Sequence, residues 1–144
     1  MVNTFLPYDD LTKSLECLDN KRLGKQRVET YQLIRAISGV SKGWINHPAA
    51  KMWYYHLDAL KLYFNISLIV WVNRGFKNTM QPYELPTEIE LPSWFGDDAV
   101  HASHRSNLLR KDSIHYGQFG WSESPDLPYV WPKDTPTKAL IGHM

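Results

Sequence analysis

The sequence is poor in cysteine and has no long apolar run. Its single cysteine, Cys17, excludes an internal disulfide and a cysteine-rich zinc site. The most apolar stretch, residues 66–72, is far shorter than the roughly 20 residues that a membrane-spanning helix needs. No charged segment followed by an apolar one opens the chain, so no secretory signal is expected. These absences predict a protein of a reducing, cytoplasmic compartment with no membrane partner.

Part of the chain lacks positively charged residues, so the small net charge of +1 hides an uneven distribution of charge along the sequence. Residues 82–100 contain five acids and no lysine or arginine, whereas residues 20–81 contain ten lysines or arginines and two acids. Because phosphate binding depends on the local potential, this asymmetry indicates a polyanionic partner such as nucleic acid. Ordinary solvated helix faces, balanced by acids that fold over them, would give the same pattern.

Hydrophobic spacing, capping residues and glycines predict a helical chain. The expected helices cover about residues 10–18, 20–37, 48–73 with a break near residue 55, and 98–110. Residues 78–96, with three prolines, are expected to form an extended loop. The tail 113–144, with four prolines and five aromatic residues, is expected to wrap over the body as irregular chain. The 144 residues therefore predict one compact, all-α, single-domain bundle across residues 1–144.

The stretch LDNKRLGKQRVET, residues 18–30, places a mostly cationic stripe on the second expected helix. At 100° per residue, five polar side chains fall within about 100° of one another: Lys21, Arg22, Lys25, Glu29 and Gln32. Lys25 and Glu29 lie four residues apart and can pair, in the less favourable order. The stripe is therefore a solvated face with a weak ion pair, or a phosphate-binding face on which Glu29 transfers a proton.

Two histidine-containing segments are candidates for binding. His47 stands at a predicted helix start, where it either assists phosphate binding or caps the helix. His101, His104 and Arg105 share one face of the last helix, and Lys111 follows near its end. Because an HxxH pair without a third ligand is a poor zinc signal, contacts to a substrate or to the opening segment of the chain are expected instead. No metal site is predicted.

Tryptophan is frequent, with six residues in the chain. Four of them are candidates for stacking on a flipped base: Trp44, Trp53, Trp94 and Trp131. Aromatic side chains at this density more often form a core, so one or two at most are expected to meet a ligand.

Five separated blocks of the sequence resemble the pyrimidine dimer DNA glycosylase family, in its endonuclease V-like phage and bacterial branch. The blocks are NTFLPY, LDNKRLGKQRVET, GWINHPAAKMW, LPSWFGDDAVHASHRSNLLRKD and LPYVWP, and together they span about residues 3–132. With the founding endonuclease V itself, only the short helical segment rich in arginine and glutamate is comparable. The resemblance implies an all-helical domain of a bacterial or phage-infected cell that binds duplex DNA, flips a nucleotide and breaks its N-glycosidic bond without metal or other cofactor.

The same resemblance implies roles for particular residues. The nucleophile is the N-terminal amine, here that of Val2 after removal of Met1, and a glutamate, here Glu29, assists it. Attack on the sugar C1′ gives a Schiff base, and β-elimination then cuts the strand. If Met1 is retained, Lys25 supplies the amine or Glu29 alone activates a water. The expected substrate contacts, of which the first two rest on the resemblance alone, are Asn3, Tyr8, Arg22, Arg27, His47, Trp53, His101, His104, Arg105 and Lys111.

Three functions are compatible with these residues. The first is a DNA glycosylase, with or without strand cleavage, that acts on a damaged or modified pyrimidine. The second is a non-catalytic protein that sequesters a nucleotide or a nucleotide-derived signal in the same pocket. The third is an N-glycosidase of free nucleotides, which needs the carboxylate but no DNA groove. The cationic stretch and Glu29 favour the first function, while the near-neutral total charge favours the second.

Overall fold

The structure is a computed structural model that describes residues 3–41 and 43–132. Its elements are α1 (Leu11–Glu16), α2 (Asn20–Ile37), α3 (Pro48–Trp53), α4 (Leu57–Asn73), α5 (Asp98–Lys111), α6 (Ser113–Tyr116) and a 3-10 turn (Gly117–Phe119). No strand occurs in these two ranges, so the all-α prediction is confirmed. That one domain spans all 144 residues stays a prediction. None of the helices described is long and apolar enough to cross a membrane.

The helix ends follow local signals in the sequence. Asp10, Asp19 and Asp97 cap α1, α2 and α5, because each side chain accepts a backbone N–H from the first turn of its helix. Gly39 and Gly75 follow α2 and α4 with φ of +80° and +92°, a conformation that favours glycine. The predicted break near residue 55 is confirmed, since α3 ends at 53 and α4 begins at 57.

The tail is more regular at its start than expected. Residues 113–116 form α6 and residues 117–119 form a 3-10 turn, where irregular chain was expected. The physical reason is a local cap, since Asp112 accepts the backbone N–H of His115 at 3.0 Å, together with complete burial of the Tyr116 side chain. Residues 120–132 have no helix, and the rest of the predicted tail lies outside the described residues.

The core forms mainly between α2 and α4, and α1 also packs on α4. Its largest buried side chains include Leu23, Leu33 and Ile34 from α2 and Tyr63 and Phe64 from α4. The proline-containing loop is fastened to α4, because the Asn65 side chain exchanges two hydrogen bonds, of 2.8 and 2.9 Å, with the backbone of Tyr83. The extended loop predicted for residues 78–96 is confirmed apart from a short turn near residue 94.

The opening segment, residues 3–7, is buried but has no helix or strand to pair its backbone. Side chains supply the partners. The Phe5 N–H donates to Gln26 Oε1 at 2.8 Å, and the Phe5 carbonyl accepts from the Tyr63 hydroxyl at 2.7 Å. The Leu6 N–H donates to His104 Nδ1 at 2.7 Å. Because a buried backbone group without a partner is costly, these bonds fix the segment between α2, α4 and α5.

His104 makes the fold sensitive to acid. Burial, aided by His101, lowers the pKa of His104 to about 3, whereas the unfolded chain has an ordinary histidine pKa of about 6.5. Between these two pKa values only the unfolded chain takes up the proton. The stability that neutral His104 contributes is therefore complete above about pH 6.5. It is lost as the pH falls toward about 3, and the free energy of unfolding then decreases by about 1.4 kcal/mol per pH unit. Urea unfolding from pH 7.5 to 4 measures this slope.

The variant His104→Asn isolates this contribution. Its amide oxygen can still accept the Leu6 N–H but does not titrate, so the free energy of unfolding should fall less steeply with acid than in the wild type. Carboxylates affect both proteins alike, so the difference between the two slopes measures the contribution of His104. Equal slopes would contradict a neutral, buried His104.

Candidate active site

A basic cavity lies between the N-terminal half of α2, the end of α5 and the opening segment. Its volume is about 170 Å³, and it is lined by Asn3, Phe5, Lys21, Arg22, Lys25, Gln26, Glu29, Lys111 and Tyr129. Among these residues are four cations and one acid. Four members of the polar stripe on α2 therefore face a concave site, which a merely solvated helix face does not require.

Glu29 is the acid of this cavity and is half-buried. Burial raises its pKa above the ordinary value, while the charges of Lys25 and Lys111 and a hydrogen bond from the Asn3 backbone act in the opposite direction. Within residues 3–41 and 43–132, no lysine or arginine nitrogen lies within 4 Å of the carboxylate, so the Lys25–Glu29 ion pair that the spacing allows does not form. A carboxyl group with a raised pKa, not neutralised by a direct ion pair, is suited to general acid and base chemistry.

Arg22 is held in place by its neighbours. Its guanidinium contacts Asp19 at 3.2 Å, and the Tyr116 hydroxyl donates to the same carboxylate. Burial acts to raise the pKa of Asp19, but the hydrogen bonds from Tyr116 and Arg22 outweigh it and keep that pKa below its ordinary value. Asp19 is therefore ionised, and it fixes the Arg22 side chain, of which 23% stays exposed at the cavity.

Lys111 reaches the cavity from the end of α5. Burial, followed by the nearby charges of Arg22, Arg110 and Lys25, lowers the pKa of Lys111, and Glu29 acts against this shift. Lys111 is thus a cation that can meet a phosphate, and it also loses its proton more readily than an ordinary lysine.

Asn3, the first residue of the opening segment, lines the cavity. Its Oδ1 accepts the Thr4 N–H at 2.7 Å, and its backbone carbonyl accepts from Gln26 Nε2. The amide nitrogen Nδ2 is buried and has no hydrogen-bond partner in the part of the chain that the structure describes. Burial raises the pKa of the neighbouring Tyr129 hydroxyl, and the Asn3 side chain and the charges of Arg110 and Arg22 lower it. Asn3 and Tyr129 are thus neighbours in the lining of the cavity.

His101, His104 and Arg105 hold the opening segment, which was one of the two roles expected for them. His101 Nε2 accepts the Gly96 N–H at 3.0 Å, so its Nδ1 carries the proton and donates to the Leu6 carbonyl at 2.7 Å. Arg105 donates to the Pro7 carbonyl at 2.8 Å and pairs with Glu123 at 2.9 Å. Neither histidine is exposed by more than 2%. Their polar groups serve the fold, so the alternative role as substrate contacts has no support in the geometry.

Three other expected substrate contacts lie away from the cavity. Arg27 stacks over the Trp71 ring at 4.1 Å. The Tyr8 hydroxyl accepts from Trp121 Nε1 at 3.0 Å. Trp53 is fully buried and donates from Nε1 to the Thr4 hydroxyl at 2.8 Å, so its ring cannot stack on a base. Each of these side chains is occupied by an intramolecular contact that spacing along the sequence does not reveal.

His47 caps α3, which was the alternative to phosphate binding. Its Nδ1 accepts the Ala49 N–H at 3.0 Å, and burial lowers its pKa. Its ring packs edge-on against Trp44 at 5.6 Å and Trp131 at 5.8 Å, and Trp131 in turn packs on Tyr129 at 5.2 Å. Of the four candidate tryptophans, Trp44 and Trp131 are therefore half-buried in an aromatic cluster that continues to the cavity, while Trp53 and Trp94 belong to the core.

Gln26 was not predicted as a site residue. It is 1% exposed and binds the opening segment at Asn3 and Phe5. The signal that could have found it is its position three residues after Leu23 and seven before Leu33, on the apolar face of α2, where a polar residue needs a buried partner. Phe5 and Tyr129 also line the cavity without having been predicted, and no local pattern marks them.

Size alone does not select the cavity as the site. A wider groove of about 660 Å³ is lined by residues 54–59 and 88–90. Its acids, Asp58, Glu88 and Glu90, are joined by no lysine or arginine, so it would repel a phosphate backbone. No group of three or more metal-ligating side chains is found in the two described ranges.

The comparisons with known proteins identify the class. The family model for pyrimidine dimer DNA glycosylase matches residues 2–83, more than half of the chain, and the chain therefore belongs to this family. The matched region contains α1 to α4 and the cavity residues from Asn3 to Glu29, while Lys111 and Tyr129 lie beyond it. No curated protein and no solved structure gave a significant match. Membership supports a function of the DNA glycosylase type.

The pKa of Glu29 provides a test of the cavity that does not depend on activity. Carbon-13 NMR titration of the side-chain carboxyl should give a pKa above that of an ordinary glutamate, because burial is the largest influence. The variant Lys111→Met should raise it further, since it removes a positive charge that lowers the pKa. The control Lys61→Met, which removes a lysine placed over the Tyr83 ring, should leave it unchanged. A wild-type value below the ordinary range would rule out this environment.

Proposed function

We propose that the chain is a DNA glycosylase that cleaves the N-glycosidic bond of a damaged or modified pyrimidine, with Glu29 assisting in the basic cavity. Family membership supports the class of reaction. The observation that carries the assignment to this site is a half-buried carboxyl group with a raised pKa among four cations, beside the opening segment of the chain. Phosphates of the backbone bind Lys21, Arg22 and Lys111, which positions the strand without reading its sequence.

The nucleotide is drawn out of the duplex toward the cavity, where Asn3 Nδ2 donates a hydrogen bond to it. An unprotonated amine attacks C1′ of the sugar, and the bond from C1′ to the base breaks as the base leaves with the bonding electrons and takes up a proton. The amine is that of Val2 in the preferred route. Val2 lies outside the described residues, but one peptide bond joins it to Asn3, with about 3.8 Å between the Cα atoms. The proton that the amine loses on attack goes to the departing base. The C1′–O4′ bond then breaks as O4′ takes a proton from Glu29, which gives the protonated Schiff base. The Glu29 carboxylate next accepts the C2′ proton, and β-elimination breaks the C3′–O3′ bond with the 3′-phosphate as leaving group.

Two other amines and a water are the alternatives to the Val2 amine. Lys25 and Lys111 both line the cavity, and the pKa of Lys111 is lowered by burial and by its cationic neighbours. A water activated by Glu29 would give base release without strand cleavage. Borohydride trapping on an ultraviolet-irradiated duplex, followed by peptide mapping of the adduct, identifies the nucleophile among the three amines.

Glu29→Gln should lower cleavage of an ultraviolet-irradiated duplex by roughly 10²-fold or more while binding survives, because the amide keeps shape and hydrogen bonding but cannot transfer the proton. Single-turnover cleavage and fluorescence anisotropy measure the two effects separately. Glu84→Gln, which changes an exposed acid of the loop, is the matched control and should cleave at the wild-type rate. An unchanged rate in Glu29→Gln would remove Glu29 from the mechanism.

The affinity for duplex should fall steeply with salt, with a slope of log affinity against log salt of about −0.9 for each phosphate neutralised. Arg22→Ala should flatten that slope by about one unit and weaken all sequences alike. Arg35→Ala, at the other end of α2 over the Tyr31 ring, is the control and should leave the slope unchanged. Anisotropy titrations at several salt concentrations provide the measurement.

The same titrations separate DNA repair from nucleotide sequestration. A protein that sequesters a nucleotide should bind the duplex hardly at all, and free nucleotide should raise its melting temperature according to occupancy. Negligible duplex affinity even at low salt would therefore overturn the glycosylase proposal.

A further inference from the structure

Tyr129 brings a hydroxyl group to the basic cavity from the irregular chain that follows the helices. It lies beyond residues 2–83, the region that the family model matches. Its side chain is half-buried and lines the cavity together with Glu29 and Arg22. Among the described residues of this lining, it is the only one that carries a hydroxyl group. The cavity therefore contains an O–H donor besides its cations and its carboxyl group.

The chain on both sides of Tyr129 is fastened to α5. The Leu127 N–H donates to Ser106 Oγ at 2.9 Å, two residues before the tyrosine. The Val130 N–H donates to Ser103 Oγ at 3.2 Å, one residue after it. Because Ser103 and Ser106 lie one turn apart on the same helix, these bonds fix the position at which Tyr129 meets the cavity.

The surroundings of the Tyr129 side chain suit a group that gives up a proton and regains it. The ring packs edge-on against His104 at 5.8 Å. Burial is the largest influence on the hydroxyl and raises its pKa, so the group keeps its proton at neutral pH. The Asn3 side chain and the charges of Arg110 and Arg22 act in the opposite direction, because they favour the ionised form. The hydroxyl is thus protonated in the free protein, and its neighbours stabilise the phenolate once the proton has left.

Cleavage of the N-glycosidic bond requires a proton at the departing base. When the bond from C1′ to N1 breaks, its electron pair goes to the pyrimidine, and a positioned acid then accelerates the step by about 10²- to 10⁴-fold. A lysine that supplied this proton would lose the charge with which it binds a phosphate. Tyr129 holds no phosphate in the proposed reaction, and Glu29 serves the sugar.

We propose that Tyr129 is the acid that protonates the departing pyrimidine, an inference that rests on the proposed glycosylase function. The hydroxyl gives its proton to O2 of the pyrimidine as the C1′–N1 bond breaks, and the phenolate remains. The proton that the attacking amine loses restores the hydroxyl, so one proton passes from the amine to the base by way of Tyr129. The later steps at the sugar, in which Glu29 acts, do not require Tyr129.

The test compares two substrates of the full chain. An ultraviolet-irradiated duplex has a base to release, whereas a duplex with an abasic site has none. Tyr129→Phe should lower single-turnover cleavage of the irradiated duplex, counted as alkali-labile sites, by roughly 10²-fold or more. Strand cleavage at the abasic site should stay within about twofold of the wild type, as should the affinity for irradiated duplex measured by anisotropy. Because both rates come from one preparation, their ratio does not depend on the folded fraction.

Tyr54→Phe, which removes the hydroxyl of an exposed tyrosine in the wider groove, is the matched control and should change neither rate. If Tyr129→Phe lowers both rates alike, lowers the affinity as much as the rate, or changes nothing, Tyr129 is not the acid and the glycosylase proposal stands. If the wild type does not cut the abasic site, the comparison of rate with affinity decides. If the wild type leaves the irradiated duplex intact, both proposals fall together.

Discussion

Burial of the opening segment is the constraint on which the rest of the structure depends. Residues 3–7 lie inside the protein without a neighbouring strand, so their backbone N–H and carbonyl groups depend on side chains for partners. A buried group left without one costs about 1–3 kcal/mol. Gln26 of α2, Tyr63 of α4 and three residues of α5 bind backbone groups of Asn3, Phe5, Leu6 and Pro7. The segment therefore joins the helices that a bundle would otherwise hold by apolar packing alone.

That constraint explains why several polar residues resemble substrate contacts in the sequence. His101 and His104 lie 95 and 98 residues from Leu6, the residue that both of them bind. Spacing along a helix reports which side chains share a face, but it carries no information on a partner so distant in the chain. The helix ends could be predicted because their causes are local, as with the cap Asp19 immediately before α2 and Gly75 two residues after α4.

The residues of the candidate site also differ in whether their position has a local cause or depends on the tertiary fold. Lys21, Arg22, Lys25 and Glu29 could be placed together from the 100° step of one helix, and they do line one cavity. Lys111 had to come from α5 and Tyr129 from the irregular chain after it, and only the tertiary fold brings these to α2. The Lys25–Glu29 ion pair is absent from the part of the chain that the structure describes, since a spacing of four residues allows a contact but does not impose it.

The electrostatics of the cavity connect substrate binding to the chemistry. Burial raises the pKa of Glu29, while Lys25 and Lys111 limit the rise. Under the proposed function, a phosphate bound at Lys111 would screen the effect of this lysine on Glu29, and exclusion of water by the strand would add to the effect of burial. Both changes favour the protonated carboxyl group, so they would raise the pKa of Glu29 further. In the free protein Lys25 and Lys111 keep the pKa of the Glu29 carboxyl group closer to its ordinary value.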